Sequence, residues 1–332
     1  MKPVVWGVIS TAKIGVEKVI PGMLRSPDLT VAAIASRDIT RARRQAKALG
    51  IARAYGSYDE LLADPNIEAV YNPLPNDGHV QWTVKAARAG KHVLCEKPMA
   101  MNARELSALK PFARKVHLAE AFMVRHHPQW LEVRERLRAG EIGRITHMQV
   151  TFHYYNDDRK NIRNQTKTGG GALYDIGCYA IVAGRWFFEA EPRRAVGMAD
   201  RDPAFKTDRL FSGLLDFGKG RTLAFSVATQ SVPFQRVHVF GTAGRIAITI
   251  PFNQPQDAAT VYLMSDGASL SGLDATRITV PAADQYMLQA EAFGRLIRTA
   301  KPNARLLNDA TQNMKIIDAL FRSEKSGRVQ NI

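Results

Sequence analysis

Apolar residues fall along this chain in two textures. In the first third they come as short unbroken runs at 4–9, 30–35, 69–72, 93–95 and 116–119. Runs of this length are too short for helices and suit strands buried on both faces of a parallel sheet. Between them lie stretches with helical spacing. These predict a helix over 39–49, one capped by Ser57 that includes Leu61 and Leu62, and one from Asn76 and His79 to near Ala89. Asn102 is suited to cap a further helix running to Ala113.

From residue 145 the texture changes to consecutive alternating strands, over 146–155, 210–217, 222–231, 237–241 and 245–250, with Gly-rich or Pro-rich turns. Consecutive strands favour an antiparallel sheet, one face of which packs on helices. An amphipathic helix at 129–139 stands between the two textures, and helices at 284–299 and 309–326 close the chain. At 332 residues the chain suits two domains of ordinary size. We place them at 1–122 and 123–332.

Composition narrows the class. A 45% hydrophobic content fills both cores. No apolar run approaches the length of a membrane span, and Met1-Lys2-Pro3 leads straight into a strand, so the expectation is a cytoplasmic protein. The two cysteines, Cys95 and Cys178, lack metal-site spacing and read as reduced packing residues, and no metal site is expected. The net charge of +15 draws on a cluster at Arg41, Arg43, Arg44 and Lys47. Other basic groups, such as Arg134, Arg136 and Arg138, sit at helical spacings without interleaved aromatics, as solvated faces do. Neither nucleic acid nor membrane is expected as a partner.

The chemistry concentrates at 90–101, GKHVLCEKPMAM, where a buried strand ends in Glu96-Lys97-Pro98. In open α/β sheets ligands bind at the carboxyl ends of the strands, so Glu96 and Lys97 should face a crevice. Pro98 fixes its own backbone and biases Lys97 toward an extended conformation. The triplet after such a strand resembles the hallmark of the glucose-fructose oxidoreductase, inositol dehydrogenase and rhizopine catabolism (Gfo/Idh/MocA) family. The likeness runs nearly end to end. It also rests on the amino-terminal strand and turn, Pro73-Leu74-Pro75-Asn76, Ala121-Phe122-Met123 and the segment from Gly169 to Tyr179.

The resemblance implies an α/β protein: an amino-terminal Rossmann dinucleotide-binding domain, then an α+β domain with a large, open, mostly antiparallel sheet. The open face implies subunit contact, in a homodimer or homotetramer. The turn after the first strand, Ser10, Thr11, Ala12, Lys13 and Ile14, would hold the cofactor's phosphates against a helix start. The family's three glycines fall at Ser10, Ala12 and Gly15, so two are replaced, and the Ser10 hydroxyl can donate to a phosphate oxygen. An NAD enzyme carries an acid about 20 residues on, for the ribose hydroxyls. Here Ser36 and Arg37 stand at that place, and both can donate to a 2′-phosphate, which favours NADP. Asp38 would favour NAD if it reached the ribose instead. Arg41 either assists the phosphate or is simply exposed. By resemblance the loop with Pro73, Leu74 and Asn76, the nearby His79, and Glu96 with Lys97 also line the cofactor.

Asp175 and Tyr179, four apart after a glycine triplet, would share one helical face. The family carries an Asp with a His or Tyr at this spacing, facing the nicotinamide. Hydride transfer from a carbinol needs a base for the hydroxyl proton, and a free phenol, with a pKa of about 10, is a poor one unless a cation favours phenolate. The expectation is Tyr179 as general base, Lys97 polarising the substrate oxygen and Asp175 orienting a neighbouring hydroxyl, with the roles of Lys97 and Tyr179 open to exchange. Substrate contacts are expected from Lys97, Arg125, His153, Tyr154, Asn161, Arg163, Asp175 and Tyr179. Their donors and acceptors suit a polyhydroxylated ring, and the wording of these motifs resembles the branch with xylose and dihydrodiol dehydrogenases. An NADP-linked aldose oxidoreductase is therefore the expectation. The alternatives are a trans-dihydrodiol dehydrogenase and a sugar sensor that binds nucleotide without turnover.

Overall fold

The computed structural model describes residues 2–332. It divides into two compact units. The first comprises the chain up to Met123 together with Gln285–Met314, and the second comprises Val124–Asp284 with Lys315–Ile332. Among the described residues no helix is long and apolar enough to cross a membrane.

In the first unit the five short apolar runs fall in the strands β1 (Val4–Ile9), β2 (Leu29–Ala35), β4 (Ala69–Asn72), β5 (His92–Cys95) and β6 (Leu118–Glu120), and a further short strand, β3 (Arg53–Tyr55), lies outside them. They form one sheet in the order β3-β2-β1-β4-β5-β6, every pair parallel. This is the doubly wound dinucleotide-binding order, with its switch point between β1 and β4. A wide π-type turn (Gly15–Val19) precedes α1 (Ile20–Arg25), and α2 (Ile39–Leu49), α3 (Tyr58–Ala63) and α4 (Asn76–Arg88) follow β2, β3 and β4. Side chains start two of these helices, α2 and α3, as their residue types dictate. Asp38 accepts from the N–H groups of Thr40 and Arg41, and Ser57 accepts from that of Glu60.

Two features depart from the sequence pattern. Residues 285–314, which follow the second domain in sequence, pack with the first unit. On α7 (Gln285–Thr299) the Phe293 ring lies 5.6 Å from that of buried Trp6. Arg298 donates to both oxygens of Glu68, at 2.7 and 2.8 Å, and to the Pro3 carbonyl. Nothing in the spacing of apolar residues announces such long-range pairs. The second departure follows Asn102, whose side chain accepts from the Glu105 N–H at 3.1 Å. The residues beyond it, Glu105–Phe112, form a 3₁₀ stretch containing Pro111 rather than an α-helix. A proline interrupts the α-helical bonding and disfavours the α conformation just before it.

The second unit opens with α5 (Pro128–Arg138), β7 (Ile145–Tyr155) and α6 (Cys178–Phe188), followed by β8 (Arg194–Arg201), β9 (Asp208–Gly218), β10 (Arg221–Ala228), β11 (Gln230–Gly241) and β12 (Arg245–Ile248). The strands β13 (Thr260–Ser265) and β14 (Thr276–Val280), the later part of α8 (Arg305–Ser326) and β15 (Gln330–Asn331) complete it. Nine strands form one sheet, β14-β13-β12-β11-β7-β10-β9-β8-β15. The expected antiparallel pairing holds throughout except between β7 and β10, which run parallel. Strands β8, β13, β14 and β15 escape the sequence pattern; β14 in particular is mostly exposed and lacks a buried alternation. Buried α6 packs closely on one sheet face, where a Cβ on Gly184 would stand 2.9 Å from the Phe217 ring. Elsewhere on the sheet Met198 and Leu214 are exposed.

His92, at the start of β5, accepts from the His117 N–H through Nδ1 at 2.9 Å and stacks on the His117 ring. Burial first, then the neighbouring His117, pulls the His92 pKa down from 6.5 to about 4. A histidine held neutral in the fold contributes stability that is full above its unfolded pKa and is lost as pH falls toward the folded value. Chemical denaturation should therefore show stability declining from pH 6.5 to about 4, and His92→Gln should flatten that decline.

Candidate active site

In the first unit the turn after β1 departs from ideal geometry at one residue. Ser10 has a φ of 81°, in the left-handed region where glycine is at ease and serine is strained. Its hydroxyl oxygen accepts from the Ala12 N–H at 3.1 Å, which holds the turn and leaves the hydroxyl hydrogen to donate elsewhere. Thr11 is buried, and its carbonyl accepts from Arg41 Nη2 at 3.5 Å. A Cβ on Gly15 would meet Pro73 and Tyr71 at 3.6 Å, an ordinary contact. Lys13 is turned away, near Glu17 at 3.9 Å on the exposed side.

At the end of β2, Ser36 is buried and its hydroxyl accepts from the Asp38 N–H. Asp38 Oδ1 takes the two helix-capping bonds, so this carboxylate is tied to the start of α2. Arg37 and Arg41 are exposed. Both charges act on the buried Tyr58 phenol: burial raises its pKa, and Arg37, by charge and hydrogen bond, and Arg41 work against that rise. Tyr58 in turn packs edge-on against Trp82.

The segment carrying Lys97 is held by its neighbours. Glu96 Oε1 accepts from the Tyr71 hydroxyl at 2.6 Å, and burial, followed by the Glu96 charge, drives the Tyr71 pKa well up. Glu120, at the end of β6, accepts from the Met99 N–H at 2.9 Å and from Asn313 at 2.8 Å. The Lys97–Pro98 peptide is cis, and Lys97 is half-buried. His79 is wholly buried, with Nδ1 2.8 Å from the Pro98 carbonyl and Nε2 2.6 Å from the Leu74 carbonyl. Burial pulls its pKa down to about 4, while both carbonyls favour the charged ring. Either way His79 braces the two loops and keeps its ring within the fold. Asn72 adds to the brace, donating to the His79 carbonyl and accepting from the Leu74 N–H. Asn76 opens α4.

The second unit gathers four of the expected residues. Asp175 lies on a π-type turn (Leu173–Gly177) that runs into α6, where Tyr179 is buried. Asp175 Oδ2 accepts from the Tyr154 hydroxyl at 2.6 Å, and Oδ1 from Arg163 Nε at 2.9 Å. The Arg163 pKa is pushed up, chiefly by the Asp175 charge, with Tyr154 and Tyr179 adding to it. Burial and Asp175 raise the Tyr154 phenol. The Tyr179 ring packs on Phe152 at 5.8 Å and Phe252 at 5.4 Å. Asn161 serves Arg163, accepting from its N–H at 3.1 Å. His153 departs from the group: it follows Phe152 and precedes Tyr154 on β7, so it points to the other face, where it bonds Ser226 on β10. Arg125, in the turn Met123–His126, lies 5.9 Å from the Trp186 ring.

The turn beneath Asp175 rests on a residue the sequence does not flag. Asp208 on β9 accepts from the Leu173 N–H at 2.7 Å, and burial raises its pKa to about 6. Among the described residues no group of three or more His, Cys, Asp or Glu is arranged to hold a metal ion. Cys95 and Cys178 are free and buried.

Comparison with known proteins fits this geometry. Residues 4–126 match the family model described as an oxidoreductase family with an NAD-binding Rossmann fold, and 130–247 match the GFO/IDH/MocA C-terminal domain. An uncharacterized oxidoreductase of Rhizobium meliloti is 46% identical, over 98% of each chain. The chain belongs to the Gfo/Idh/MocA oxidoreductase family. D-xylose 1-dehydrogenase (NADP(+)) 2 of Haloferax volcanii is a 36% identical Gfo/Idh/MocA relative, over 97% of this chain and 98% of that one. A 3-ketoreductase from Actinomadura kijaniata, solved with NADP and TDP-benzene, superposes with a TM-score of 0.90 at 29% identity, covering 97% of this chain and 98% of that one. Against that family background the sequence marks residues at the ends of β1, β2, β4 and β5 but gives no role to Tyr58, Tyr71, Glu120 or Asp208. Each is an ordinary core or strand residue whose partner lies far away in the chain.

Gly171 is the sharpest local constraint. Its φ is +120°, and a Cβ there would stand 2.0 Å from Asp208 Oδ1. Gly171→Ala should cost about 2–4 kcal/mol in urea unfolding, since backbone strain adds to the loss of the Asp208 bond to Leu173.

Proposed function

We propose that this chain is an NADP-linked oxidoreductase acting on an aldose, with Tyr179 and Lys97 handling the proton. The observation that carries the reading is the cluster of Tyr154, Asp175 and Arg163 around Tyr179: groups that bind hydroxyls beside one that can take a proton. The xylose dehydrogenase and ketoreductase relatives, which by name act on sugars or ketones, support the same class.

The residues present fit NADP. Asp38, the acid that would favour NAD, uses Oδ1 to cap α2. Arg37 and Arg41 lie exposed at the end of β2 beside it, and Ser10 retains a hydroxyl hydrogen. The turn at Ser10, Thr11, Ala12 and Ile14 would hold the pyrophosphate, with Ser36, Arg37 and Arg41 on the 2′-phosphate. Pro73, Leu74, Asn76, Glu96 and Lys97 would line the rest. When bound, NADP supplies the carbon that accepts or returns the hydride.

In the oxidative direction the substrate's O–H and C–H bonds break as a C=O bond forms. The proton passes to the Tyr179 phenolate oxygen while the C–H electron pair leaves as hydride. The Lys97 ammonium donates to the same substrate oxygen and stabilises its developing charge. Asp175, held by Tyr154 and Arg163, orients a neighbouring hydroxyl through its remaining lone pairs. Exchange of the two roles, with Lys97 as base, is the variant of this scheme. One observation favours a second substrate class: Phe152 stacks on Phe252, Tyr179 packs edge-on against Phe152 and tilted against Phe252, and this apolar backing of the Tyr179 ring suits an aromatic diol. The exposed apolar positions of the nine-stranded sheet support a homodimer or homotetramer formed through that face.

Assay of aldoses and aromatic diols with NADP+, and of nucleotide-linked keto sugars with NADPH, tests the class, and absence of turnover with every one of them refutes it. Tyr179→Phe should lower kcat by about 10²–10⁴ while NADP affinity, read by fluorescence titration, is retained. Arg41→Ala should raise KM for NADP by about tenfold to a hundredfold and leave that for NAD unchanged, as the loss of one charged hydrogen bond predicts.

A further inference from the structure

Asp175 and Tyr179 sit one turn apart, and a base at Tyr179 works only as an anion. A carboxylate so close opposes ionisation of the phenol, since like charges disfavour each other at short range. Something must offset Asp175.

Arg163 is built for that purpose. Its backbone is fixed at both ends: the N–H donates to Asn161 at 3.1 Å and the carbonyl accepts from the Gly171 N–H at 2.9 Å. A Cβ on the neighbouring Gly170 would stand 2.4 Å from that carbonyl oxygen, so the chain leaves no room to shift there. The side chain is then held by Asp175 through Nε, although 42% of it is exposed. Holding a long, partly exposed side chain so firmly costs conformational entropy that solvent-facing arginines normally keep. Tyr179 is within reach of its charge.

Resting on the assignment of Tyr179 as base, we infer that Arg163 is a positioning residue that neutralises Asp175 and so allows Tyr179 to ionise beside it. Tyr154 shares the task by donating to the other carboxylate oxygen. The other elements packed on Tyr179 bring rings at Phe152 and Phe252. On α5, His127 caps its own helix by accepting from the Gln129 N–H, and Arg134 and Arg138 pair with Glu189 at the far end of α6. In the proposed reaction Lys97 acts on the substrate oxygen, so Arg163 is the cation assigned to the carboxylate.

The test is the pH profile of kcat for oxidation, with a near-ultraviolet phenolate titration recorded without substrate as the difference from Tyr179→Phe. Arg163→Gln should move the midpoint of both upward by about one unit, so that about tenfold less base is ionised at a given lower pH. Adding Asp175→Asn to Arg163→Gln should bring the midpoint back, because the charge that needed offsetting is gone. Arg163→Lys, which keeps the charge and is the milder change if the Gln variant folds poorly, should leave the midpoint near that of the unaltered protein. An unmoved midpoint in Arg163→Gln, or a double variant still displaced, overturns the inference. A pH-dependent limb that survives in Tyr179→Phe instead removes the base assignment on which it rests.

Discussion

A carboxylate withdrawn from water must find donors or give up its charge, and turns in each of the two units are organised around that constraint. Glu96 takes the Tyr71 hydroxyl, Glu120 takes a backbone N–H and an asparagine, and Asp175 takes a tyrosine and an arginine. Each bond fixes the acid and, with it, the piece of backbone that carries it. Asp208 shows the limit of the strategy. Its donors are backbone N–H groups, burial outweighs them, and its pKa rises to about 6.

The same constraint separates what was legible in the sequence from what was not. A short apolar strand ending in Glu-Lys-Pro can be read directly, because burial and charge change over a few residues. The helix start at Ser57 is equally local. The support beneath them is not. Glu120 and Asn313 are separated by most of the chain, and Asp208 meets Leu173 across a turn, a helix and a strand. Parity along β7 was available in principle: Tyr154 and His153 are adjacent and must diverge, yet only the buried Phe152 shows which of them faces Asp175.

Ser10 marks where local rules and function part company. Glycine would adopt its left-handed backbone without strain, and serine is kept there with a hydroxyl that closes the turn on Ala12. Asp38 makes the complementary point. Read as a letter it invites NAD, whereas its bonds to α2 make it an element of secondary structure.

The nucleotide-binding unit is discontinuous: α7 and the opening of α8 belong to it although some 160 residues intervene. A fragment ending at Met123 would strand Trp6 without Phe293 and Glu68 without Arg298. The compact unit of this chain therefore cannot be moved as a single continuous segment. Two separate stretches of its gene have to travel together, one on each side of the segment that encodes most of the second unit.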